Sequence, residues 1–359
     1  MKFTLPKWYD LHVHFRQDDP LPDYVGAHLA MGCMGALCMP NTKPPISRVL
    51  GKNTEEYWTI ESYTNDLLEA GGAAFADMIV PLYLTGSTTP AMIEEGAKSG
   101  VLRACKYYPP HGTTNADYGV PFEQYFENGV FQAMSDHGVV LNIHGEEHGL
   151  SGESYFGENS NAEDYFYREY MPKLVEKFPN LKVACEHITT RTAVEFVKQA
   201  SDNVVATITP QHLLYTVANL LQGLKYHLYC LPLVKFEADK QALLGAATAE
   251  DNTKFFAGTD SAPHTTKATD CGCAAGCFTG FIAPQLYAKA FDLNENNIDT
   301  FKNFLCLNGQ RFYNLPEATE TFTLEKKPST NSVLETCDGK ITPLNIGLGE
   351  NTLEWTLTL

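Results

Sequence analysis

The chain has 359 residues, 44% of them apolar and 11% aromatic, and carries a formal net charge of −17. That charge excludes a nucleic-acid binder, which must neutralise phosphates with Lys and Arg, and no run approaches the ~18 uninterrupted apolar residues of a membrane span. Ten cysteines are too sparse for a disulfide scaffold, so reduced thiols are expected, and the absence of a secretory h-region at the start predicts a cytoplasmic protein.

Short apolar runs recur along the chain, separated by longer intervals of helical character. The first is "WYDLHVHF" at 8–15, followed by "GALCMP" at 35–40, "ADMIVPLYL" at 76–84 and "VLRACKYY" at 101–108. Then come "GVVLNIHG" at 138–145, "LKVACEHIT" at 181–189, "VVATITP" at 204–210 and "FFAGTDSAP" at 255–263. In between, apolar residues fall at helical spacing, as with Phe122, Tyr125, Phe126, Val130, Phe131 and Met134. Strands apolar in their middles and alternating with helices indicate parallel strands covered on both faces. Eight such units predict a (β/α)8 barrel of the TIM type. "HLYCLP" at 227–232 is assigned to the connection between the seventh and eighth strands. After Pro316 the pattern turns Thr-rich and alternating. Residues 1–316 are therefore read as the barrel domain and 317–359 as a C-terminal extension packed on it.

Metal-competent residues fall at the ends of several runs, where barrel enzymes place their chemistry. His12 and His14 close the first, Lys106 the fourth, His144 the fifth, His187 the sixth and Asp260 the eighth. Each has an ordinary explanation alone: a structural His pair, a hydrogen-bonded core histidine, a helix N-cap for Asp260, an ion-pairing Lys106. Together, four histidines and a carboxylate at matching positions point to a metal, and imidazole with carboxylate suits zinc-like ions. The set exceeds what one four-coordinate ion with an open position needs, so two ions are the simpler assignment.

The motifs "DLHVHFR", "CMPNTKPP", "CKYYP", "GTTN", "LNIHGE", "CEHITT", "ATITPQH", "HLYCLP", "GTDSAPH" and "CGCAAGC", spread over residues 8–315, resemble the dihydroorotases of the amidohydrolase superfamily. The resemblance is to the short bacterial type without an N-terminal β-sandwich. It implies a binuclear zinc site, with His12, His14 and Asp260 holding one ion and His144 and His187 the other. Lys106 would be carboxylated on its amine and would bridge them. A hydroxide shared by the ions would be the nucleophile and Asp260 the general acid and base. The reaction implied is the reversible cyclisation of N-carbamoyl-L-aspartate to (S)-dihydroorotate in pyrimidine biosynthesis.

The same resemblance implies that Arg16, Asn41 and His264 grip the substrate carboxylate, with His14 and His144 also among the substrate contacts. Backbone groups at Leu231 and at Ala275, preferred to Ala274, would read the ring's imide edge. Thr113 and Thr114 would sit on a mobile loop that closes over the substrate. A small-molecule substrate and a homodimer are expected. Other cyclic amidases, a hydantoinase or allantoinase, are the nearest rivals, and a catalytically silent scaffold is the rival from another class. Cys271, Cys273 and Cys277 do not have a zinc-knuckle spacing, His111 and His148 read as surface residues, and His212 reads as structural support.

Overall fold

In the computed structural model, which describes residues 1–270 and 272–359, the apolar runs become short strands. They are β1 (Lys2–Pro6), β2 (Trp8–Val13), β3 (Cys33–Cys38), β4 (Asp77–Ile79), β5 (Leu82–Tyr83), β6 (Ala104–Tyr107), β7 (Val140–Ile143), β8 (Val183–Cys185), β9 (Val204–Ile208) and β10 (Phe255–Ala257). Strands β2, β3 and β4 pair in parallel, as do β5 to β10 in chain order. The third apolar run is two strands rather than one. Pro81 interrupts it with a residue that has no N–H to give a ladder, and β4 and β5 lie in different sheets. At the other side, the Asp260 N–H donates to His12 O at 2.8 Å and the His14 N–H to Ser261 O at 3.0 Å. Val13 and Ser261 form a parallel bridge there.

Alternation along these strands sorts the core into two layers. Tyr9, Leu37, Ile79, Ala104, Val140, Ala184, Val205 and Phe256, drawn from successive strands, form one apolar cluster. Their chain neighbours Cys105, Leu141, Val183, Val204 and Phe255 point the other way, into the larger cluster built with the helices. Both faces are therefore buried, which is why the strands read as continuous apolar runs. Two residues past the inner layer the same face turns polar: Lys106, Asn142, Glu186 and Thr207 are all buried. A polar floor thus stands on an apolar plug.

The helices between strands start where the sequence provides caps. Thr89, Thr190 and Thr209 accept from the backbone of the turns that begin Pro90–Lys98, Arg191–Gln199 and Pro210–Leu214. The periodic stretch 122–134 is not one helix: Gly129, at φ 83°, separates Gln124–Glu127 from Val130–His137. "HLYCLP" lies in the connection between β9 and β10, as a 3-10 turn at Tyr226–Leu228 followed by irregular chain that bends at Leu231 and Pro232. Near the end of the chain, β11 (Thr321–Glu325) pairs antiparallel with β1 and with β12 (Thr356–Thr358), so the first residues and the tail share a sheet. No described helix is long and apolar enough to cross a membrane.

Candidate metal centre and substrate pocket

His12, His14, Lys106, His144, His187 and Asp260 come from five different strand ends and all are buried. The rings form a chain: His14 to His12 is 5.5 Å between centroids, His12 to His187 4.7 Å, and His187 to His144 4.8 Å. Donor atoms of His12, His14 and Asp260 lie within 4.8 Å of one another. Lys106 completes the group from below. Its Nζ is buried with no hydrogen-bond partner among the described residues and sits 4.9 Å from the centre of the Tyr108 ring.

Hydrogen bonds set which nitrogen each ring offers. His12 Nδ1 donates to Glu186 Oε2 at 2.7 Å, His14 Nδ1 to Asn41 Oδ1 at 2.8 Å, and His144 Nε2 to Glu146 Oε2 at 2.8 Å. The opposite nitrogen of each ring is left with its lone pair. His12 Nε2 and His14 Nε2 then face the same Asp260 Oδ1, at 3.5 and 2.9 Å. Burial, helped for His12 by the Lys106 ammonium, lowers the pKa of both rings and keeps them neutral. Acceptors opposing an acceptor in a buried site is an arrangement that a shared cation resolves. Burial opposes ionisation of Asp260, but the closeness of His14, His12 and the Lys106 ammonium outweighs it and pulls its pKa down to about 2. The donor set fits a metal cofactor.

Asp260 and His187 adopt φ of 49° and 39°, conformations that cost non-glycine residues energy and recur at functional sites. Gly258 permits the approach behind them, since a Cβ there would lie 2.9 Å from Thr207 Cβ and 3.0 Å from His12 Cβ.

No protein-family model matches the chain. It is 41% identical to a dihydroorotase of Pseudomonas fluorescens (strain SBW25), over 99% of this chain and 98% of the relative. It is 40% identical to one from Picosynechococcus sp. (strain ATCC 27264 / PCC 7002 / PR-6), over 91% of this chain and 90% of the relative. The chain belongs to the dihydroorotase family. Among solved structures, Saccharomyces cerevisiae dihydroorotase in complex with 5-fluoroorotic acid superposes with a TM-score of 0.85 at 28% identity, covering 99% of this chain and 98% of that one. An L-hydantoinase from Arthrobacter aurescens shares the fold, with a TM-score of 0.72 at 15% identity, covering 92% of this chain and 78% of that one. Family membership makes the chain a cyclic amidohydrolase with a mixed α/β fold.

The dihydroorotase-like motifs beside the metal-competent residues meet at one cavity. His14, Arg16, Asn41, Thr113, Thr114, Leu231, Asp260 and Ala275 line it, and Ala262 and Gly276, not anticipated from sequence, complete the wall. His264 touches its edge, with Nε2 2.7 Å from Ala275 O and 3.2 Å from Arg16 Nη2. Ala274 turns away to Lys267, donating its N–H to Lys267 O at 2.8 Å. β2 ends at Val13, so His14 and Arg16 lie just past it, and Arg16 has φ 62°. The loop with Thr113 and Thr114 is down on the site: Asn41 Nδ2 donates to Thr114 O at 2.8 Å and Asn115 Nδ2 to Asn41 O at 2.9 Å. Only about 10 Å³ of free space remains beneath it, roughly one water's worth.

Sequence reasoning missed the groups behind the ligands. Glu186 orients His12, and Glu146, 3.8 Å from the buried Lys235 Nζ, orients His144. The available signal was adjacency: each carboxylate falls within two residues of a predicted ligand in "CEHITT" and "NIHGE". His212 is buried between Thr209 Oγ1 at 2.7 Å and Pro232 O at 3.0 Å, a structural role. His111 is exposed beside Asp117 and His148 is half-buried beside Glu147. Cys271 lies outside the described residues; Cys273 and Cys277 are free thiols, bonded to Tyr226 O and His227 O.

Proposed function

We propose that this chain interconverts (S)-dihydroorotate and N-carbamoyl-L-aspartate in pyrimidine biosynthesis, at two zinc ions on the inner rim of a closed (β/α)8 barrel. His12, His14 and Asp260 would hold one ion, His144 and His187 the other, and Lys106, carboxylated on Nζ by CO2, would be shared. The observation that carries this reading is the convergence of His12, held by Glu186, His14, held by Asn41, and Asp260 on one point, with the His187 and His144 rings next to them and a fully buried Lys106 Nζ beside them. A buried, unpaired ammonium is costly, and carboxylation turns it into an oxygen ligand. When bound, such ions lower the pKa of water toward neutrality and polarise an amide carbonyl.

The side chains supply the rest. Asp260, ionised and beside His14, takes the proton from the attacking water and hands it to the ring nitrogen as the C–N bond breaks. The same residue works in reverse for ring closure. Arg16 has a buried Nη1 without a partner among the described residues, suited to the substrate carboxylate with His264 and Asn41 alongside. Leu231 and Ala275 present backbone to the ring edge. Because the cavity beneath Thr113 and Thr114 is smaller than a dihydroorotate ring, that loop opens to admit substrate and closes to exclude water. We read residues 1–316 as the catalytic domain, 317–359 as an extension joined to it through β1, and the assembly as a cytoplasmic homodimer.

The test is metal analysis of the purified chain combined with ring opening and closing assays on dihydroorotate, hydantoin and allantoin. Two zinc ions per chain and preference for dihydroorotate are expected. Preference for either other ring, or no turnover in zinc-replete protein, would overturn the reading.

A further inference from the structure

Lys267 is a buried lysine that the proposed chemistry does not use. Its Nζ donates to Tyr229 O at 3.0 Å, to Gly276 O at 2.6 Å and to Ala274 O. An ammonium has three N–H donors, so the three carbonyls complete it. Two of them flank Ala275 and the third is two residues before Leu231, the two positions whose backbone lines the cavity.

Little else holds these segments at their spacing. Tyr229 follows a short 3-10 turn, and residues 274–276 follow a two-residue strand, Gly272–Cys273. The segments are otherwise joined by the Gly276 N–H to Tyr229 O at 2.9 Å and, next to them, by the thiols of Cys273 and Cys277 donating to Tyr226 O and His227 O, while the Ala274 N–H donates back to Lys267 O at 2.8 Å. The Ala275 carbonyl is taken by His264. Removing the ammonium would leave three carbonyls directed at one buried point with only the Gly276 N–H on Tyr229 O to offset their mutual repulsion, and the segments would move apart.

We propose that Lys267 is a positioning residue, a three-point clip that sets the distance between the Tyr229–Leu231 and Ala274–Gly276 segments and thereby the affinity for the cyclic substrate. The inference rests on the functional reading above, in which those segments read the ring. Lys267 reaches the substrate only through them.

The test compares full-length, zinc-loaded wild type, Lys267→Met and Lys267→Arg in KM, kcat per zinc-loaded site, zinc content and Tm. In K267M the KM for dihydroorotate is expected to rise about tenfold or more, since misplacement of a binding group by about 1 Å is costly. Its kcat should change much less, with zinc content unchanged. Simple loss of folded protein would lower apparent kcat and leave KM alone. Arg keeps the charge, but its planar fork cannot donate along three converging directions from one atom, so K267R should keep the raised KM. Full rescue by Arg, or an unaltered KM in K267M, overturns the clip. Should K267M not fold, Lys267→Gln, which retains part of the donor set, reads the same KM against kcat separation. A wild type inert on dihydroorotate removes both the functional reading and the clip, whereas an active wild type with a silent K267M removes the clip alone.

Discussion

Replacing Glu186 by Gln should weaken metal binding without weakening the metal-free fold. Glu186 accepts from His12 Nδ1 at 2.7 Å and from Thr207 Oγ1 at 2.6 Å, and its other oxygen is buried without a partner among the described residues. A glutamine carbonyl in the place of Oε2 can keep both the His12 and the Thr207 bonds, and its amide takes the place of the unpartnered oxygen, so the shape is kept. What is lost is the charge behind the imidazole. A charge-assisted hydrogen bond in a buried site contributes about 1.5–3 kcal/mol, which at 1.4 kcal/mol per tenfold is roughly 10- to 100-fold in metal affinity. The metal-free protein has the opposite interest. Burial pushes the Glu186 carboxyl up to about 7, against the pull of Lys106 and Thr207, so removing a charge that is costly to bury should leave the metal-free Tm unchanged or raised. Chelator competition gives the affinity and thermal unfolding after chelation gives the stability. Unchanged zinc affinity together with a lowered metal-free Tm would refute the argument and make Glu186 a structural carboxylate.

Three further outcomes are expected. Arg16→Lys keeps a cation but loses the fork, whose Nη1 is unpartnered and whose Nη2 lies 3.2 Å from His264; KM should rise ~10- to 100-fold with zinc content unchanged. Burial raises the Glu163 carboxyl from 4.5 to about 7 although Thr189 and Thr190 donate to it. The folded state therefore binds its proton more tightly, and stability falls as pH rises between those values, by about 3 kcal/mol at 1.36 kcal/mol per unit. Urea unfolding of the metal-free protein across that window should show the slope, and Glu163→Gln should flatten it. Gly309→Ala would gain about 1 kcal/mol of helix propensity yet place Cβ 2.1 Å from Leu11 Cδ1 and 2.7 Å from Phe256 Cδ2. Overpacking typically costs 1–3 kcal/mol, so the clash should win and Tm should drop; an unchanged Tm would mean that the inner cluster yields.

The legible part of this site follows from two periodicities meeting. Apolar runs at regular intervals announced parallel strands covered on both faces, and the residues just past those runs announced where polar groups gather. Alternation even predicts which residue faces inward: Ala104 leads to Lys106, Val140 to Asn142 and His144, Ala184 to Glu186, Val205 to Thr207. In the structure Glu186 lies on the polar floor and His187 is brought to the other rings by a backbone at φ 39°. The sequence could show a histidine beside a carboxylate there, but not which one the turn would rotate inward. Pro81 carried a clear signal, a missing donor inside an apparent strand, that a count of apolar runs does not register.

Lys267 had no comparable signal. A lysine between two threonines and an alanine in a polar loop looks solvated, and only the folding of two irregular segments onto each other turns three ordinary carbonyls into its binding site. Charged residues that act on backbone rather than on other charges leave no pattern of paired residue types. The meeting of His12, His14 and Asp260 could thus be read from residue identity and position at the strand ends. The groups that set the pocket's width had to wait for coordinates, because a carbonyl is present at every position.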